Sequence, residues 1–150
     1  MAALLRHYGL YAAWLVAIVA TLGSLYFSEV RGFIPCELCW FQRVFMYPLT
    51  IVLGIATYRD DRGVARYVLP LTVVGGSIST VHYLMQKGVI HWDAACSPAA
   101  PCTAQWINWW GFVTIPFLAG TAFVLITLFL AFAMKGEQAE KGGLERVSNL

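Results

Sequence analysis

The sequence predicts an all-α membrane protein, a bundle of four transmembrane helices with both termini in the cytoplasm. Of the 150 residues, 59% are hydrophobic and 12% charged, about half the charged share of roughly 25% in a soluble domain. So few charges cannot cover a water-facing surface. The apolar residues gather into four stretches of 19–24 residues, and roughly 20 residues at about 1.5 Å rise span a hydrocarbon core of about 30 Å. Basic residues fall unevenly on the segments between them. In lipid the backbone must satisfy its own hydrogen bonds, so the spans are helices.

The first span is expected over residues 8–27, the second over 40–58, the third over 67–86 and the fourth over 111–134. Arg6 before the first span raises a cleaved signal peptide as an alternative. The run is longer than a signal's apolar region and no clear A-x-A site follows, so a retained anchor is expected. The second span carries one charge, Arg43, in its first turn; the third carries only a histidine, His82. Pro48, Pro70 and Pro116 are expected to lie inside helices two to four and to kink them. Residues 135–150 read as a flexible cytoplasmic tail. No internal repeat or separate soluble domain is visible, so the chain reads as a single transmembrane domain.

Orientation follows from charge. Arg6, Arg59, Arg62, Arg66, Lys135, Lys141 and Arg146 lie on one side of the spans, and Arg31 and Lys87, with Arg43 at a helix entrance, on the other. The positive-inside rule then places both termini and the 59–66 link in the cytoplasm. The links over 28–39 and 87–110 face outward, where disulfides persist. Surrounding lipid is the first partner this implies. The net charge of +2, with no basic cluster interleaved with aromatics, argues against nucleic acid. Gln105-Trp-Ile-Asn-Trp-Trp110 is expected to lie along the headgroup level, as tryptophan belts do.

All four cysteines fall in the two outward links: Cys36 and Cys39 as a C-x-x-C pair, and Cys96 and Cys102 in the second. Two dithiols on one face of a bilayer can pass electrons by thiol–disulfide exchange. Cys39 near a helix N-terminus has the positive end of the dipole to favour a thiolate. Arg43, one turn on, can add to that effect and stabilise negative charge on a nearby acceptor, or simply snorkel to the interface. His82 is a candidate hydrogen-bond donor to an acceptor's carbonyl, or a partner of a backbone carbonyl. The short second loop closes a ring that stabilises the fold by only roughly 2 kcal/mol, which suits exchange better than holding a fold together; an inert staple or a bridge to the first loop are the alternatives. Zinc on four cysteines is a further reading, set aside because five residues separate the second pair and the outward side is oxidising; no metal is expected.

Pro35-Cys-Glu-Leu-Cys-Trp-Phe-Gln-Arg-Val-Phe-Met-Tyr-Pro48 resembles the signature of the DsbB family of disulfide bond formation proteins, and the short second loop looks most like its BdbC branch. The likeness extends to Gly111-Phe-Val-Thr-Ile-Pro-Phe117 and covers all but the tail. It implies a bacterial plasma-membrane enzyme that reoxidises a thioredoxin-fold thiol oxidase of the DsbA or BdbD kind and passes electrons to ubiquinone or menaquinone. Position by position, it implies that Cys96 forms the mixed disulfide with the partner and pairs with Cys102. Cys36 and Cys39 form the quinone-coupled pair, with Cys39 nearest the ring, and Arg43, Gln42 and His82 lie about the quinone. Both local bridges, Cys36–Cys39 and Cys96–Cys102, are expected at rest. A quinone reductase of the vitamin K epoxide reductase type shares the four-helix, four-cysteine plan, but its C-x-x-C pair lies in the last helix. A membrane scaffold or transporter stapled by two disulfides is the non-enzymatic reading.

Overall fold

The structure, a computed structural model, describes residues 1–92, 94 and 96–149. The side chains of Ala2, Ala3, Leu5 and Arg6 lie outside that description. They include the Arg6 side chain counted for orientation. Asp93 and Ala95 of the second outward link and Leu150 of the tail are outside it as well.

Four helices carry the fold: α1 (Ala2–Leu25), α2 (Glu37–Arg59), α3 (Ala65–Gln86) and α4 (Ile115–Ser148). Each is long and apolar enough to cross a membrane, and no more than about a third of the most apolar window in each is buried inside the protein. The remaining apolar surface faces outward, as lipid-facing helices require. No strand is present among the described residues.

Helix ends depart from the sequence expectation for local reasons. Pro35 cannot donate a backbone hydrogen bond, and Cys36 is extended (φ −76°, ψ 174°) as the N-cap of α2. The helix thus starts at Glu37, whose carboxylate suits the positive dipole end. A π-turn (Tyr26–Val30) continues α1 toward the first loop. The start expected at residue 111 moves to Ile115, because Trp110 and Gly111 both have positive φ (51° and 79°) in a tight turn closed by mutual Trp109–Val113 backbone hydrogen bonds. Pro116 consequently sits in the first turn of α4, where proline is tolerated, and not inside the helix. Pro48 and Pro70 do lie inside α2 and α3. The segment expected as a flexible tail is helical to Ser148. It holds no proline, and a Glu137–Lys141 pair and an Arg62–Glu140 contact of 3.9 Å run along it.

Neighbours pack antiparallel. Trp14 Nε1 donates to the Thr50 carbonyl (3.0 Å) and Ser24 meets Tyr47 (3.1 Å) between α1 and α2. Gly9 lies against Phe129 and Ala133 of α4. Between α3 and α4, Thr127 bonds Thr72 (2.9 Å), and the fully buried Phe123 ring covers Gly75 so closely that no Cβ fits there. Leu49, Leu53, Ile126 and Leu130 fill the centre. This topology puts both chain termini and the α2–α3 link at one end and both cysteine-bearing loops at the other.

Candidate redox site

At the loop end all four cysteines join one apolar cluster with Leu38 and Met85. Cys96 and Cys102 are disulfide-bonded, with Cα atoms 5.8 Å apart. Cys36 and Cys39 are free thiols, their sulfurs 3.2 Å apart, where the sequence leads one to expect a second bridge. One turn of helix separates a cap residue from a first-turn residue, and that spacing alone brings the sulfurs together. The hydrogen bond from Cys39, with the His82 ring behind it, holds the Cys36 thiol well below the ordinary range, at about 4, against its own desolvation. Charge of the nucleophilic kind is therefore favoured at the helix cap, Cys36.

The two pairs touch. The sulfurs of Cys36 and Cys102 and a ring nitrogen of His82 lie within 4.8 Å of one another, all three residues buried. Cys102 is 2% exposed, whereas Cys96 is half-buried at the surface of the loop. His82 is wedged between the pairs: Gln42 Nε2 donates to Nδ1 (3.0 Å), the Nε2–H donates to the Cys102 carbonyl (3.1 Å), and Nε2 is 3.6 Å from Cys36 Sγ. Two further bonds pin the second loop to the end of α3: Gln86 Nε2 to the Ala104 carbonyl (3.0 Å) and Gln105 Nε2 to the Gln86 carbonyl (2.8 Å).

Beneath the C-x-x-C pair, a cavity of about 510 Å³ opens between α1, α2 and α4, within the 300–1,000 Å³ or so typical of small-molecule sites. Its wall is mostly apolar, with Ser28 and Thr121 as further polar side chains beside the group formed by Cys39, Gln42, Arg43, Ser24 and Tyr47. Arg43 Nη2 donates to the Ser24 carbonyl (3.4 Å), and its guanidinium lies 5.2 Å from the Trp40 ring centre. Phe33 stacks on Trp106 (5.3 Å), and both line the cavity mouth.

Of the sequence-predicted residues, Cys39, Gln42 and Arg43 share the cavity. His82 does not: Gln42 stands in between and holds Nδ1, while Nε2 faces the Cys102 carbonyl and the Cys36 sulfur. Trp106 also lines the cavity wall and, like Trp109 and Trp110, is exposed. The contribution of α1 through Ser24 and Gly23 was not anticipated, since nothing in that uniformly apolar span marks one face. The aromatic pair Phe33 and Trp106, one in each loop, was the available signal.

The family model for disulfide bond formation protein DsbB matches residues 6–133. Disulfide bond formation protein C of Bacillus subtilis (strain 168) is 54% identical over 136 residues, covering 87% of this chain and 95% of its own length. A probable disulfide formation protein C 1 of Bacillus anthracis is 47% identical (88% and 96%), and a probable disulfide formation protein of Coxiella burnetii 49% identical (87% and 90%). No solved structure gives a significant match.

Proposed function

The chain belongs to the DsbB family of disulfide bond formation proteins, a multi-pass membrane protein with a role in forming disulfides, and on that premise we propose that it is a thiol:quinone oxidoreductase. It reoxidises a thioredoxin-fold thiol oxidase outside the cytoplasm of a bacterial cell and delivers the electrons to a quinone in the plasma membrane. The observation that carries the reading is the meeting of the two dithiols at Cys36 and Cys102, directly above a cavity that Cys39 enters. The charge count supports the outward placing of both loops.

Exposure supports one order of attack. A partner thiolate can reach Cys96 but not the enclosed Cys102, so the mixed disulfide forms on Cys96 and Cys102 leaves as thiolate. The partner's second thiol then releases the partner as a disulfide and leaves Cys96 reduced. Cys102 attacks Cys36 of the Cys36–Cys39 bridge, giving Cys36–Cys102 and a Cys39 thiolate. Cys96 then attacks Cys102, restoring the loop bridge and leaving Cys36 and Cys39 both reduced. The described arrangement, loop bridge closed and inner pair free, is this last state. His82, with its proton on Nε2, stabilises the Cys36 thiolate and holds the Cys102 backbone beside it.

The cavity fits a quinone: its volume suits a substituted ring, its walls are mostly apolar and its polar end carries Arg43 and Gln42 at the level of Cys39. When bound, a quinone supplies a two-electron, two-proton acceptor. Arg43 offers a fixed positive charge and Gln42 an amide to orient a ring oxygen, while Phe33 and Trp106 limit water at the mouth. The test is quinone consumption by the purified protein given a reduced thioredoxin-fold oxidase. One quinone should be consumed per partner disulfide formed. No turnover with either ring type would leave a disulfide-stapled membrane scaffold as the better account, and partner oxidation without quinone loss would mean that the electrons go to a different acceptor.

A further inference from the structure

We propose that the reduced protein binds one thiophilic divalent cation, of the zinc type, on Cys36, Cys102 and His82, with Cys39 as the nearest fourth donor. The three donor atoms lie within 4.8 Å of one another, and the residues are 5%, 2% and 1% exposed. Tetrahedral zinc with Zn–S of about 2.3 Å and Zn–N of about 2.0 Å needs donor–donor edges of roughly 3.5–3.8 Å. Cys36 Sγ and His82 Nε2 already stand 3.6 Å apart, and Cys39 Sγ is 3.2 Å from Cys36 Sγ. The set draws on the start of α2, on α3 and on the second loop. It uses one cysteine of each C-x-x-C or loop pair as its anchor, so counting spacings within a pair cannot find it.

The site is gated by redox state. While Cys102 is bonded to Cys96, its sulfur offers no thiolate. A reducing dithiol donates two electrons and two protons to that bridge, becoming a disulfide itself and leaving Cys96 and Cys102 as thiols. The cation then binds three thiolates and one imidazole, releasing whatever protons the thiols still carry. His82 must present an unprotonated Nε2, and Gln42 can arrange this. With its amide turned so that Oε1 accepts from Nδ1–H at the present 3.0 Å separation, the Nε2 lone pair faces the sulfurs. A hydrogen-bonding neighbour of this kind orients a metal-binding histidine and sharpens its affinity. Bound thiolates cannot exchange, so the cation stalls the enzyme only after electrons have entered it.

Cobalt(II) titration of the full-length protein in detergent, reduced with dithiothreitol and freed of it without oxygen, tests the proposal. Tetrahedral thiolate-bound cobalt absorbs strongly in the visible, and zinc added afterwards should bleach the colour. One cobalt per chain is expected in the reduced protein, with binding at least about tenfold weaker when the loop bridge is intact. Cys96→Ser and Cys102→Ser supply the decisive pair, because each abolishes the loop bridge and leaves one loop thiol. Reduced Cys96→Ser should bind like the reduced wild type, while Cys102→Ser and His82→Ala should bind at least about tenfold more weakly. Equal affinity of the two serine variants, or no colour in reduced wild type and Cys96→Ser, would overturn the proposal. Equal binding before and after reduction would overturn it too.

Discussion

Removing the Arg43 charge should slow electron delivery to a quinone while leaving exchange between the two cysteine pairs almost untouched. Arg43 is the only formal charge on the cavity wall among the described residues, and it shares the polar end with Cys39 and Gln42. Its guanidinium is held by the Ser24 carbonyl and the Trp40 ring, so it is oriented before any acceptor arrives. At an effective dielectric constant of about 20, a unit charge roughly 5 Å from developing negative charge contributes about 3 kcal/mol. That corresponds to a rate factor on the order of 10²–10³. Arg43→Ala should lose that factor in stopped-flow quinone reduction, and gel-based exchange with the partner should change less than about threefold. Arg43→Lys should recover only part of the loss, because lysine keeps the charge but not the planar fork that reaches Ser24 and Trp40 together. Quinone reduction by Arg43→Ala at the wild-type rate would mean that the arginine only anchors the helix at the interface, and the quinone site would have to be sought elsewhere.

Given a thiol oxidase that keeps only its attacking cysteine, activated as a mixed disulfide with an aromatic thiol, Cys102→Ala should capture it on Cys96 with release of the aromatic thiol, visible on a non-reducing gel, and Cys96→Ala should not, since Cys102 is enclosed; equal capture by both, or capture by Cys96→Ala alone, would overturn the assignment of the attacked sulfur. Gln86→Ala removes the side-chain bond to Ala104, and a net loss of about 1 kcal/mol should slow exchange between the pairs roughly fivefold, measured by quenched alkylation. Gly75→Val forces a branched side chain against Phe123 and should destabilise the bundle by about 1–3 kcal/mol in detergent unfolding. Gly142→Ala, with open space around it, should leave unfolding unchanged or slightly delayed.

What the sequence made legible is what depends on neighbours along the chain. Span length, polar links and basic residues identify four helices. Pro35, Cys36, Cys39 and Arg43 lie within a few residues of one another, so a helix start is enough to put Cys39 and Arg43 on one face. Contacts between distant segments were harder to read. Cys36 and Cys102 are brought together by the packing of α2 on α3 and by the glutamine bonds that pin the second loop, and no local pattern encodes that pairing. His82 shows the same limit: an isolated histidine near a helix end has two nitrogens to satisfy, and whether it faces cavity or cysteines depends on which side Gln42 takes. The start of α4 was displaced because left-handed conformations at Trp110 and Gly111 follow from the turn they close, not from hydropathy, which reads straight through them.

The shortness of the second loop raises the question of whether it can move far enough for exchange. The geometry removes that difficulty. With Cys102 Sγ already within 4.8 Å of Cys36 Sγ, reaching a disulfide bond length of about 2.05 Å asks for less than about 3 Å of approach, a rotamer change and a small loop shift. A longer loop would spend more entropy on each closure, since closing cost rises with length. The short loop instead keeps the leaving sulfur beside its next target, with His82 bonded to the Cys102 carbonyl on one side and facing the Cys36 sulfur on the other. In the proposed cycle Cys96, at the loop surface, is the only sulfur of the pair that must meet an outside protein. On that proposal, division of labour within six residues of sequence separation replaces large motion: the more exposed cysteine serves the partner and the enclosed one the relay. The direction of flow is left to the relative potentials of partner and acceptor, where about 30 mV corresponds to about 1.4 kcal/mol for a two-electron transfer.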